Sequence, residues 1–87
     1  MILQFTEQGL EDYSYWKSHD PQRAKRIRKL VENILETPFT GLGKPEPLLF
    51  DLQGYWSRRI NREHRLVYKV TEDVLVIVAC RFHYATR

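Results

Sequence analysis

The chain has 87 residues, of which 43% are hydrophobic, 13% aromatic and 29% charged, and its formal net charge is +3. These values describe one small folded domain over residues 1–87 and exclude a disordered or collagen-like chain; no apolar run nears the ~20 residues of a membrane span. The single cysteine, Cys80, excludes an internal disulfide, and no Cys/His cluster has zinc spacing.

Residues 2–5 read as a short strand. Thr6 suits the N-cap of a helix with Glu7 in its first turn, where the helix dipole favours negative charge. Leu10, Tyr13 and Trp16 then give one apolar face, and the helix should fade near Ser18-His19. Asp20-Pro21 is a stronger start signal, a capping residue followed by proline at the first helical position. Ala24, Ile27, Leu30, Val31, Ile34 and Leu35 recur at helical spacing, while Arg23, Lys25, Arg26, Arg28 and Lys29 occupy the other face. Thr37-Pro38 ends this second helix. Two helices joined so closely form a helical hairpin. Pro38, Gly41, Gly43, Pro45 and Pro47 exclude a regular helix in the next stretch. Leu48–Phe50 reads as a brief strand and Gly54 as a turn.

The remainder reads as β-structure. Tyr55–Ile60 would place Trp56, Arg58 and Ile60 on one side and Tyr55, Ser57 and Arg59 on the other. Asn61–His64 turns into a strand over Arg65–Val70. Thr71–Asp73 turns into a nearly continuous apolar strand over Val74–Phe82, as expected of a strand covered on both faces. Connections this short predict an antiparallel meander. The expected fold class is α+β, an N-terminal helical hairpin packed on a four- to five-stranded, mainly antiparallel sheet.

Charge is unevenly placed, with a net −1 over residues 1–54 and +4 over residues 55–87. Six of the seven basic groups in the second part are arginines, whose forked donors suit phosphate. Arg58, Arg59, Arg62, Arg65 and Arg81 share the predicted meander and could converge on an anion, or be scattered over a solvated sheet face. His83 and Tyr84 follow the apolar strand directly. A histidine there is placed for proton transfer, and would equally suit an idle surface position. Glu46 stands between Pro45 and Pro47, which restrict the backbone around a candidate general base; the same residues would serve an inert loop. The other histidines available as base are His64 and His19, of which His64, beside Arg65, is the alternative to Glu46. Such groups meet the needs of metal-free RNA cleavage. RNA carries its own nucleophile in the 2′-OH, so a base, a cationic clamp and an acid suffice.

Several motifs, in order, then carry a resemblance. They are Glu11-Asp12-Tyr13 with Tyr15-Trp16; Pro38-Phe39; Gly41-Leu42-Gly43-Lys44-Pro45-Glu46-Pro47-Leu48; Gly54-Tyr55-Trp56-Ser57-Arg58-Arg59-Ile60; Glu63-His64-Arg65-Leu66-Val67-Tyr68; and Cys80-Arg81-Phe82-His83-Tyr84. From about residue 2 to residue 84 the chain closely resembles the YoeB toxins of bacterial toxin–antitoxin systems, members of the RelE-like fold. The resemblance implies a ribosome-dependent mRNA interferase that cuts mRNA in the ribosomal A site and needs no metal or other cofactor. It implies Glu46 as general base, Arg65 as the group stabilising the transition-state phosphate, His83 as general acid and Tyr84 as a residue orienting or stacking on substrate. Arg59 would support the phosphate, with Lys44, Arg58 and Arg81 as further RNA contacts. The implied partners are a cognate YefM-like antitoxin, the ribosome with its mRNA, operator DNA through the antitoxin complex only, and a second copy in a homodimer. No membrane is involved, and Met1–Thr6 does not read as a secretory signal, so the expected location is the cytoplasm. Two departures stand out. Leu49 replaces a lysine common in relatives, and Ala85-Thr86-Arg87 extends past the usual end. They motivate an alternative, a catalytically weakened relative acting mainly as an antitoxin-binding, operon-regulating module.

Overall fold

The computed structural model of the protein describes residues 1–82. The chain runs β1 (Ile2–Phe5), α1 (Glu7–His19), α2 (Pro21–Glu36), β2 (Glu46–Pro47), a single 3-10 turn at Phe50–Leu52, β3 (Trp56–Arg59), β4 (Arg65–Val70) and β5 (Val74–Ala79). The class is α+β, two helices packed on one face of a five-stranded mixed sheet of order β1-β5-β4-β3-β2. The β3-β4-β5 meander is antiparallel, as expected, whereas β1 pairs parallel to β5.

Both helices start where their caps require. The Thr6 hydroxyl accepts the Gly9 amide at 3.0 Å and donates to the Val78 carbonyl at 2.7 Å, so one side chain caps α1 and anchors it to β5. Gly9 is needed at this junction, because a Cβ there would collide with the Ile77 carbonyl. Asp20 ends α1 and caps α2, its carboxylate accepting the Arg23 amide at 3.2 Å. The apolar stripe of α2, Ala24, Ile27, Leu30, Val31 and Ile34, is buried against Leu66, Tyr68, Leu75 and Ile77 of the sheet. Each buried Val, Leu or Ile side chain among them contributes about 1.5–3 kcal/mol by leaving water.

The opposite sheet face is open except for a small cluster of Leu48, Val67 and Ala79, with Leu52, Tyr55 and Val78 packed against it. β5 is therefore not covered evenly on both faces, and Val74, Val76 and Val78 are only partly buried. A bulge sets the end of this strand. Val67 pairs with Ala79 while the next residue, Tyr68, pairs with Ile77, which leaves Val78 extra. Val78 and Ala79 consequently both face the open side, and Cys80 returns to the core. The Cys80 backbone is fixed to α1 from both sides. Its amide donates to Asp12 Oδ2 at 2.9 Å, and its carbonyl accepts from Trp16 Nε1 at 2.7 Å.

The expected strand over Leu48–Phe50 lies elsewhere. β2 is Glu46–Pro47, paired with Ser57 and Trp56, and Leu48 instead turns inward. Proline is tolerated in this strand because it is the short edge strand of the sheet.

Candidate active site

Sheet register places the expected site residues. Glu46 of β2 pairs with Ser57 of β3, Ser57 pairs with Val67 of β4, and Val67 pairs with Ala79 of β5. Arg59 pairs with Arg65. Paired residues share a face, as do residues two apart on one strand. Glu46, Ser57, Arg59, Arg65 and Val67 thus all belong to the open face. Two ladder spacings of ~4.8 Å and a two-residue offset put the Glu46 and Arg65 backbones roughly 12 Å apart. That separation is wide enough to admit a phosphodiester between Glu46 and the Arg59–Arg65 pair.

Glu46, Lys44 and Arg59 are exposed, so an incoming anion reaches them without displacing protein. Arg65 is half-buried and its guanidinium donates to the carbonyls of Asn61 at 3.1 Å and His64 at 3.4 Å, which holds it at the start of β4. Beside the Ser57–Val67–Ala79 file lies a groove of about 300 Å³ lined by Tyr55, Val67, Val78, Ala79, Arg81 and Phe82, among others. Arg81 flanks this groove. Its guanidinium stacks over the Tyr15 ring, 3.5 Å from the centroid.

His83 and Tyr84 lie outside the described residues. The residue before them is held by two hydrogen bonds. Phe82 accepts the Arg65 amide at 3.1 Å through its carbonyl, and its own amide donates to Nδ1 of His64 at 2.7 Å. The chain leading to His83 is therefore bound to the strand that carries Arg65. Phe82 has φ +65° and Lys44 has φ +51°, both in the left-handed region that non-glycine residues seldom adopt. These two strained residues flank the expected base on one side and the expected acid on the other, a placement in keeping with strain held at functional sites.

Two expectations change. Arg58 is not a surface phosphate contact, because it lies on the helix-covered face and is 0% exposed. All five of its N–H donors are already taken by protein oxygens, on Tyr68, Asn33, Leu42, Thr37 and Thr40. The alternation of Arg58 with Ser57 and Arg59 was visible in the sequence; that the polar-looking position faced the core was not. His64, the alternative base, has its Nδ1 engaged by the Phe82 amide and its ring packed edge-on to Trp16. Burial pushes the pKa of this histidine below its usual value, with Arg23 and Arg81 acting in the same direction and Glu63 and Asp12 opposing it.

Ser57 was not singled out by the sequence motifs. It is 1% exposed, sits directly between Glu46 and Val67, and its hydroxyl has no hydrogen-bond partner among the described residues. Among the described residues no group of three or more His, Cys, Asp or Glu side chains could hold a metal ion, and no helix is long and apolar enough to cross a membrane.

Residues 5–84 match the model of a family described as the YoeB-like toxin of bacterial type II toxin–antitoxin systems. The Toxin YoeB of Streptomyces coelicolor is 56% identical over 84 residues, covering 97% of this chain and all of that relative. The solved YoeB/ParE toxin from Agrobacterium tumefaciens superposes with a TM-score of 0.94 at 48% identity, covering 97% of this chain and 100% of that one. A YoeB dimer and a heterotetrameric YoeB–YefM toxin–antitoxin complex, both from Staphylococcus aureus, superpose with TM-scores of 0.91 and 0.89; each is 42% identical and covers 97% of this chain and 98% of its own.

Proposed function

The chain belongs to the YoeB-like toxin family of bacterial type II toxin–antitoxin systems, and from that premise we propose that it is an endoribonuclease acting on mRNA in the ribosomal A site. The observation that carries this reading is the shared open face of Glu46, Arg59 and Arg65, with Phe82 tied to Arg65 immediately before His83. Glu46 takes the proton of a ribose 2′-OH. The 2′-oxygen attacks the adjacent phosphorus, the bond from phosphorus to the 5′-oxygen breaks, and His83 protonates the departing oxygen. Arg65 and Arg59 balance the charge that builds on the phosphorane, where electrostatic stabilisation has its largest effect. The products are a 2′,3′-cyclic phosphate and a free 5′-OH, and the atoms balance without metal or cofactor. Lys44 and Arg81 border this face and hold the RNA backbone, and Tyr84 orients the substrate.

In this reading a YefM-like antitoxin neutralises the toxin in the cytoplasm, the complex reaches operator DNA through the antitoxin, and two toxin copies associate. The Staphylococcus aureus complex and dimer support the antitoxin and the second copy.

The test is cleavage in a purified translation system with a defined A-site codon. Wild type should cut, while Glu46→Ala and His83→Gln should each lose roughly 10²–10⁴-fold in rate, the usual share of a general base or acid. Undiminished cleavage by both variants would overturn the assignment. The second reading, a weakened binding module, draws on Leu49, an apolar side chain that is 66% exposed. Growth arrest on expression without antitoxin supports the enzyme; unaffected growth with intact antitoxin binding supports the module.

A further inference from the structure

We propose that Arg58 is the positioning residue for Glu46, acting through the loop between α2 and β2; this rests on the reading of Glu46 as the base. Arg58 Nε donates to the Tyr68 hydroxyl at 3.2 Å. One terminal nitrogen donates to Asn33 Oδ1 and to the Leu42 carbonyl at 3.0 Å, and the other donates to the carbonyls of Thr37 at 2.7 Å and Thr40 at 2.8 Å. Three of the five acceptors are therefore backbone carbonyls of residues 37–42, the segment that leaves α2. None is a carboxylate. The negative end of the α2 dipole and these carbonyls balance the buried charge instead.

The same segment is held at several further points. Tyr68 donates to the Pro38 carbonyl at 2.7 Å, and Asn33 Oδ1 also accepts the Leu42 amide at 3.0 Å. Burial raises the Tyr68 pKa, opposed by Arg58, so the hydroxyl keeps the proton it donates. Gly43 closes the path at φ +81°, and a Cβ there would sit 3.1 Å from Arg58 Cβ. Its carbonyl accepts the Arg59 amide at 2.7 Å. Lys44, Pro45 and Glu46 follow without slack, and Glu46 enters the sheet opposite Ser57, the residue before Arg58. A side chain pointing into the core thus fixes the backbone that delivers a carboxylate to the opposite face. Five forked donors suit this work, because each holds a different acceptor; a lysine has one nitrogen to reach them all.

A positioning role predicts coupling to Glu46, and a merely structural role does not. Cleavage is to be measured in the translation system for Arg58→Lys, Tyr68→Phe and Glu46→Ala, singly and combined, with circular dichroism and antitoxin binding as checks on folding. Arg58→Lys should lower kcat about 10- to 100-fold with KM nearly unchanged, in line with the sensitivity of catalysis to displacements near 1 Å. Tyr68→Phe should lower kcat several-fold. In the Glu46→Ala background both should change the residual rate less than about twofold, because a misplaced base and a missing one are equivalent. Multiplicative losses in that background, or Arg58→Lys and Tyr68→Phe both at wild-type rate, overturn the proposal while leaving Glu46 as base. If Glu46→Ala alone cleaves normally, the base assignment fails and this proposal with it. Should Arg58→Lys not fold, Tyr68→Phe, which removes one oxygen, carries the comparison.

Discussion

The Phe82 amide donates to Nδ1 of His64, which leaves the ring proton on Nε2 and the imidazole neutral. Protonating Nδ1 would remove the acceptor and weaken the hold on Phe82. Burial depresses the folded-state pKa, so the unfolded chain binds this proton more readily than the folded one. The stabilisation is fully present above the unfolded value of ~6.5 and is lost as pH falls through the depressed folded value. Thermal midpoints should decline as pH drops below ~6.5, and His64→Asn, which offers an oxygen near the Nδ1 position, should flatten that decline. An unchanged pH dependence in the variant would place the responsible group elsewhere. The chemistry proposed for Glu46 and His83 comes from motifs that stand in a recognisable order along the chain. The role of Arg58 was not, because burial and hydrogen-bond partners depend on what the rest of the chain places around a residue.

At the scale of elements, legibility follows locality. α2 was readable to within a residue because its signals are its own: Asp20-Pro21 at the start, an apolar stripe at helical spacing, and Thr37-Pro38 at the end. Replacing the cap should show this directly. Asp20→Ala removes the acceptor of the Arg23 amide and should cost about 1 kcal/mol in urea denaturation, with the slope of the transition unchanged. β2 was misplaced by two residues for the opposite reason. A two-residue edge strand has no periodicity, and Glu46 is a strand residue only because Ser57 lies opposite it. The bulge in β5 is likewise invisible in an unbroken apolar run. It reverses the inside–outside alternation after Ile77, so Cys80 rather than Ala79 enters the main core.

The whole molecule separates the main core from the candidate site by sheet face. The main core and the helices occupy one side, and Glu46, Arg59 and Arg65 of the candidate site belong to the other. In the proposed reading, the basic excess over residues 55–87 contributes to RNA binding through Arg59, Arg65 and Arg81, which border the open face. Each phosphate contact releases counterions, so binding to ribosomes carrying mRNA should weaken steeply as salt rises. Arg59→Gln should lower the magnitude of the log–log salt slope by about one contact while leaving thermal stability nearly unchanged. A variant with the wild-type slope would remove Arg59 from the RNA interface.

The sequence by itself determined the class of fold, both helices, the strands from residue 56 onward, the placement of charge and the family. Caps, periodicity and ordered motifs are short-range, and each is complete within a few neighbouring residues. Tertiary structure decided the parallel pairing of β1 with β5, the true position of β2, the bulge, the engagement of His64, and the turning of Arg58 into the core. Those features are contacts between residues distant along the chain. Their energies depend on register and burial, which exist only once the sheet and helices have packed.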